Sequence, residues 1–152
     1  MRLTELFQAE TVVTDLPAAS KESLLVEIIR DLHGKGLIAD RETATSDLIA
    51  RENVMSTGVG NGVAIPHAYT DGVERLIVGL YRTGEMVDFG APDDAGVNLF
   101  FVVLGPRNSR REHIRVLAKI SRLLGHADFR EELRRASNAA AVIGVLRRFG
   151  ER

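Results

Sequence analysis

The sequence contains no cysteine in its 152 residues. That excludes a disulfide framework, a thiolate nucleophile and a Cys-ligated metal. It also lacks a dominant charge: 20 Lys and Arg stand against 21 Asp and Glu, a formal net charge of −1. No global basic field therefore points to nucleic acid or to an anionic membrane surface. No apolar run approaches the roughly 20 residues of a membrane span. The N-terminus, Met1-Arg2-Leu3-Thr4-Glu5-Leu6, has none of the apolar core of a signal peptide. No internal repeat or low-complexity linker interrupts the chain. With 45% hydrophobic and 27% charged residues, the balance is that of an ordinary globular protein, and the length suits one domain with a real core. The expectation is a cytoplasmic single domain without a nucleic-acid partner or direct membrane insertion.

Helices and short strands alternate along the chain. Ser20 is a good N-cap, followed by Leu24, Leu25, Ile28, Ile29 and Leu32 at helical spacing, with Gly34 and Gly36 able to end the helix. A second helix is expected from Asp40 to about Glu52. Val63-Ala64-Ile65 and Leu76 to Tyr81 suit strands, and Val97 to Leu104 reads as a central strand buried on both faces. Val87 to Asp94 is turn-rich. Ser109 with Glu112 has the pattern of a capping box, Asp128 with Glu131 repeats it, and Ser137 can cap a last helix carrying Val142, Val145 and Leu146. The fold class predicted is α/β, a mixed sheet flanked by helices.

One stretch stands out: Ser56-Thr57-Gly58-Val59-Gly60-Asn61-Gly62-Val63-Ala64-Ile65-Pro66-His67-Ala68. It reads as a glycine loop, then a short strand that Pro66 stops, so that His67 sits at the strand end. The glycines do not match the dinucleotide fingerprint, and no Gly-Lys-Ser or Gly-Lys-Thr follows as in a P-loop. Taken alone they are as consistent with a structural turn as with a ligand loop. His67 can be a general base, a metal ligand, a phosphoryl acceptor or a structural histidine. A metal is disfavoured, since there is no His-Glu-x-x-His pattern and Arg51 lies close in sequence. A serine triad is disfavoured by the lack of a Gly-x-Ser-x-Gly elbow.

Two further residues gain interest from their place. His113 falls in the first turn of the helix after Ser109, where unpaired amides suit an anion. Arg51 closes the helix just before the glycine stretch, and a guanidinium can grip two phosphate oxygens at once. Either can instead be an ordinary surface residue. His33 and His126 lie near expected helix C-termini and are assigned no chemistry.

Arg51-Glu52, followed by the run from Ser56 to His67, closely resembles the fructose/mannitol/nitrogen-type enzyme IIA domain of the bacterial phosphotransferase system. Val87-Asp88-Phe89, Asp93-Asp94 and His113-Ile114-Arg115-Val116-Leu117-Ala118 resemble the family in order and spacing, so the likeness covers essentially the whole chain. It implies a phosphotransferase component whose phosphoryl acceptor is His67, with Arg51 and His113 lining the phosphohistidine site and no cofactor. The donor implied is a phosphorylated carrier protein, HPr or NPr. One position departs: the family often has a basic residue where Tyr69 stands. Thr57 and the amides of Gly58, Gly60 and Gly62 are expected to share charge developing on the phosphoryl group. Val59, Val63 and Tyr69 are candidates for an apolar rim that meets the partner.

Two roles in the family are open to such a chain. A sugar-uptake component passes phosphate to a downstream IIB domain. A nitrogen-type regulator instead binds a regulatory target protein according to its phosphorylation state. The sequence shows no attached IIB-like or membrane segment, so the regulator is the expectation. A binding module with this fold that never carries phosphate is the third reading, against which the presence of His67, His113 and Arg51 argues.

Overall fold

The computed structural model describes residues 2–150. Its centre is a mixed six-stranded sheet in the order β1-β5-β6-β3-β2, with β4 also paired to β6. The strands are β1 (Val12–Val13), β2 (Gly58–Gly60), β3 (Val63–Ala64), β4 (His67–Tyr69), β5 (Ile77–Val87) and β6 (Val97–Gly105). β5 and β6 form an antiparallel pair, whereas β1 lies parallel to β5, and β3 and β4 lie parallel to β6. The helices are α1 (Lys21–Gly34), α2 (Arg41–Val54), α3 (Arg110–Leu124), α4 (Ala127–Arg135) and α5 (Ala139–Gly150).

The two faces of the sheet bury separate cores. Leu99, Phe101 and Val103 of β6 point to one side and pack with Val116 and Ile120 of α3, Phe129 of α4 and Val145 of α5. Phe100, Val102 and Leu104 point to the other and pack with Leu25, Ile28 and Ile29 of α1 and Leu48 of α2. Six consecutive apolar residues, Leu99 to Leu104, can all be buried only because helices cover both faces of the strand they form. The result is three layers: α1 and α2, the sheet, then α3, α4 and α5.

Helix ends follow local chemistry. Ser20 accepts the Ser23 amide and Asp40 accepts that of Thr43, both at 3.2 Å, as N-caps do. α1 ends in a Schellman turn: Leu37 donates to the Leu32 carbonyl and Gly36, at φ +77°, to that of His33. Three expected caps are displaced. A 3-10 turn over Arg107–Ser109 precedes α3, and the Ser109 hydroxyl donates back to the Pro106 carbonyl, so no capping box forms with Glu112. α4 starts two residues earlier than expected, with His126 at the N-cap, which leaves Asp128 inside its first turn, accepting from Phe129. Asn138, rather than Ser137, accepts the Ala141 amide at the start of α5.

The glycine stretch is a β-hairpin rather than a loop. β2 and β3 pair antiparallel across a two-residue turn, Asn61-Gly62, with φ of +58° and +76°. Positive φ at both positions is the type I′ turn that matches the twist of paired strands, and Asn-Gly is its preferred sequence. Pro66 does not end the pairing along β6 either. It offers no N–H, but its carbonyl accepts from Val103, and β4 resumes in the same register, His67 opposite Val103. β1 carried no recognisable signal, and β5 runs six residues beyond Tyr81.

Buried polar groups lock α2 to this hairpin. The Glu52 carboxylate, 3% exposed, accepts from the Thr57 amide at 2.8 Å and the Thr57 hydroxyl at 2.5 Å, and pairs with Lys21 of α1 at 2.9 Å. Gly62→Ala puts a Cβ in the left-handed region, 2.5 Å from the Arg134 guanidinium, which in turn bonds the Asn61 carbonyl. We expect it to lower stability by about 1–2 kcal/mol, read as a lower urea midpoint at unchanged slope.

Candidate functional site

The backbone at Pro66 sets the geometry of the site. Within Ile65-Pro66-His67, the Ile65 amide donates to Thr57 on the β2 side, and the Ile65 carbonyl meets Nδ1 of His67 at 2.7 Å. A carbonyl only accepts, so Nδ1 carries the proton. Nε2 is then left with its lone pair. The ring is half-buried. Its pKa is lowered by burial, with the Arg51 charge pushing the same way and the bond to Ile65 opposing. The neutral, nucleophilic form is thereby favoured.

His67 and Tyr69 alternate with Ala68, which packs toward α1 and α2, so both rings stand on the α3 side of the sheet. There they meet His113, in the first turn of α3. The His67 and His113 rings are 5.8 Å apart, edge to face, and the Tyr69 ring lies 4.4 Å from that of His113. His113 is 1% exposed, and neither ring nitrogen has a hydrogen-bond partner among the described residues. Burial, reinforced by the nearby His67, pushes its pKa down to about 4. Gly105 makes room for Ser109 rather than for His113: a Cβ there would clash with Ser109 Oγ, whereas His113 Nδ1 would lie at an ordinary 3.5 Å.

Arg51 reaches the hollow from the opposite helical layer, in the last turn of α2. Its Nη1 donates to the Met55 carbonyl at 3.2 Å. His67, His113 and Arg51 thus line one concavity, together with Asp47, Tyr69, Arg107 and Leu117. The structure does not bring the other candidates there. Both the hydroxyl and the amide of Thr57 are taken by Glu52. Gly58 packs on Ala91, Gly60 lies near Asp93, and Gly62 sits under Arg134 at the hairpin turn. None of the four lines the hollow. They shape the hairpin that carries His67. Val63 is wholly buried in the core. The large exposed apolar residues are instead Val54, Met55, Met86 and Ile114, with Val59 alone of the expected rim among them and Tyr69 half-buried.

Asp47 had a legible signal, one helical turn before Arg51 on the same face. Arg107 had none, being an arginine in a connection. Among the described residues, no group of three His, Asp or Glu side chains is placed to hold a metal ion. No helix is long and apolar enough to cross a membrane.

A concave site with a neutral imidazole, a second buried imidazole and an arginine suits a tetrahedral anion. The family model described as phosphoenolpyruvate-dependent sugar phosphotransferase system, EIIA 2, matches residues 5–148. The chain belongs to this family of EIIA-type phosphoryl carriers. It is 38% identical to the fructose-specific EIIA component of Haloferax volcanii over 90% of this chain and 89% of that one. It is 34% identical to a nitrogen regulatory protein of Pseudomonas aeruginosa over 96% and 95%. The crystal structure of nitrogen regulatory protein IIA-Ntr from Neisseria meningitidis superposes with a TM-score of 0.83 at 35% identity, covering 95% of this chain and 98% of that one. The fold is also that of Escherichia coli IIA-mannitol, solved in complex with phosphorylated IIB-mannitol (TM-score 0.78, 24% identity, covering 93% and 96%).

The buried neutral His113 makes stability depend on pH. Between its unfolded value of 6.5 and its folded value of about 4, the unfolded chain binds the extra proton. Stability is therefore full above pH 6.5 and falls as the pH drops toward 4. Relative to His113→Phe, the wild-type protein should lose about 2–3 kcal/mol between pH 7 and pH 4. Urea midpoints of both proteins across that range measure the difference.

Proposed function

We propose that His67 accepts a phosphoryl group on Nε2 from the phosphohistidine of a carrier protein, HPr or NPr, and that the chain works as a nitrogen-type regulatory IIA protein. The observation that carries the acceptor role is the Nδ1–Ile65 bond, which commits one ring nitrogen to the backbone and turns the other toward the hollow. In the transfer, the donor's N–P bond breaks as the Nε2–P bond forms. The donor nitrogen keeps the electron pair of the broken bond, and His67 keeps its Nδ1 proton throughout. Catalysis of such a loose transfer is chiefly positioning and charge stabilisation. Arg51 exchanges its carbonyl partner for phosphoryl oxygens, and the N–H of neutral His113 donates to them. Thr57 and the hairpin glycines support the site from behind and touch no oxygen.

The regulatory role draws on the nitrogen regulatory relatives, which match nearly end to end. A second reading has a specific observation behind it: the 38% identical relative is named a fructose-specific EIIA component. In that case the phosphoryl group passes on to a IIB domain. The chemistry at His67 is the same in both, and a non-phosphorylated binding module is the outcome if none of it occurs.

His67→Ala should keep the wild-type circular dichroism and melting behaviour while losing all labelling by phosphorylated carrier. Acid-labile phosphate retained in that variant would remove His67 from its role. Offering phosphorylated HPr and NPr side by side separates the branches: faster transfer from NPr, with no onward transfer to a fructose-class IIB domain, is expected. Equal rates with efficient passage to IIB would favour sugar uptake.

A further inference from the structure

A buried side chain that must meet an anion is ordinarily oriented by a second hydrogen bond from behind. Among the described residues, neither ring nitrogen of His113 has one. Its orientation comes from contact alone. On one side lies Gly105, where a Cβ would make ordinary contact with Nδ1 at 3.5 Å. The Tyr69 ring lies against it at 4.4 Å, tilted by 36°. His67, 5.8 Å away, meets it edge to face. Tyr69 is half-buried and lines the same hollow, so its ring separates the imidazole from water.

We propose that Tyr69 is the positioning residue of this site, its ring covering His113 and holding the imidazole toward the phosphoryl group on His67. This rests on His67 being the acceptor. The titratable groups around His113 are His67 and Tyr69 from β4, Asp47 and Arg51 from α2, and Arg107 from the connection before α3. On its own helix, Arg110, Arg111 and Glu112 are exposed. His67 is the one among them whose charge acts on it, and the larger influence is exclusion of water. Tyr69 is part of that exclusion. A flat aromatic face serves both tasks without a polar bond to the ring, whereas a flexible lysine in its place would leave the imidazole wet and mobile.

The test compares wild type, Tyr69→Phe and Tyr69→Ala, with His67→Ala as the labelling control. Ring-proton NMR follows the titration of His113, and single-turnover transfer from phosphorylated carrier gives the limiting rate, taken as kcat, and the half-saturating carrier concentration, taken as KM. Tyr69→Phe should keep kcat within about 2-fold, because the covering face is unchanged. Tyr69→Ala should lower kcat roughly 10- to 100-fold with little change in KM, as misplacement of a charge-stabilising group does. His113 should then titrate closer to an ordinary histidine. An unmoved His113 titration in Tyr69→Ala overturns the proposal, as does a change in KM alone, which would make Tyr69 a docking residue. Equal damage in Tyr69→Phe overturns it too, by placing the effect in the hydroxyl. Should the wild-type protein take no label at His67, the acceptor role falls, and the His113 titration still decides whether Tyr69 covers the ring.

Discussion

The bond between His67 Nδ1 and the Ile65 carbonyl is the constraint from which the rest of the site follows. Pro66 stands between the two residues. Pro66 gives the ladder no N–H, yet its carbonyl still accepts from Val103, so the chain stays registered on β6. The Ile65 carbonyl, on the other edge, is met by the imidazole two residues later. Tautomer, ring orientation and the direction of Nε2 are thereby set by the backbone of the sheet. A lone histidine on an exposed loop would have to be fixed by other side chains, at a cost in ordering.

Much of this was legible in the chain. The apolar stripe of α1 with its Ser20 cap, the Asp40 start of α2 and the run from Leu99 to Leu104 fold as their patterns indicate. They do so because local preference and burial agree there. His67, His113 and Arg51 also converge as the motif implied. Other features were less readable for definite reasons. β1 is two residues long and has no periodicity to detect. Ser109 satisfies a capping pattern, yet a 3-10 turn ahead of it turns the hydroxyl elsewhere. The glycines suggested a ligand loop, although the Asn61-Gly62 pair is itself a hairpin signal. Arg107 reaches the hollow through tertiary packing, which sequence spacing does not encode.

The Glu52 cluster shows how function and stability share a few positions. Arg51 and Glu52 are adjacent in α2 and serve opposite ends of the problem. Arg51 keeps its guanidinium at the rim of the hollow, while Glu52 is sunk into a network with Thr57 and Lys21. Removing one partner of a buried ion pair leaves an uncompensated charge. Glu52 is therefore best understood as the anchor that fixes the end of α2, and with it the reach of Arg51.

The three-layer arrangement gives the site an unusual mechanical dependence. Arg51 rides on α2, whose packing belongs to one core, and His113 rides on α3, whose packing belongs to the other. His67 stands on the sheet between them. The hollow is thus assembled from three bodies that no single core holds together. Where a displacement of about 1 Å can cost as much as 100-fold in rate, a loosened side chain deep in either core is felt at the surface as a misaligned clamp. Natural variation in both interiors is on this account filtered by activity as well as by folding.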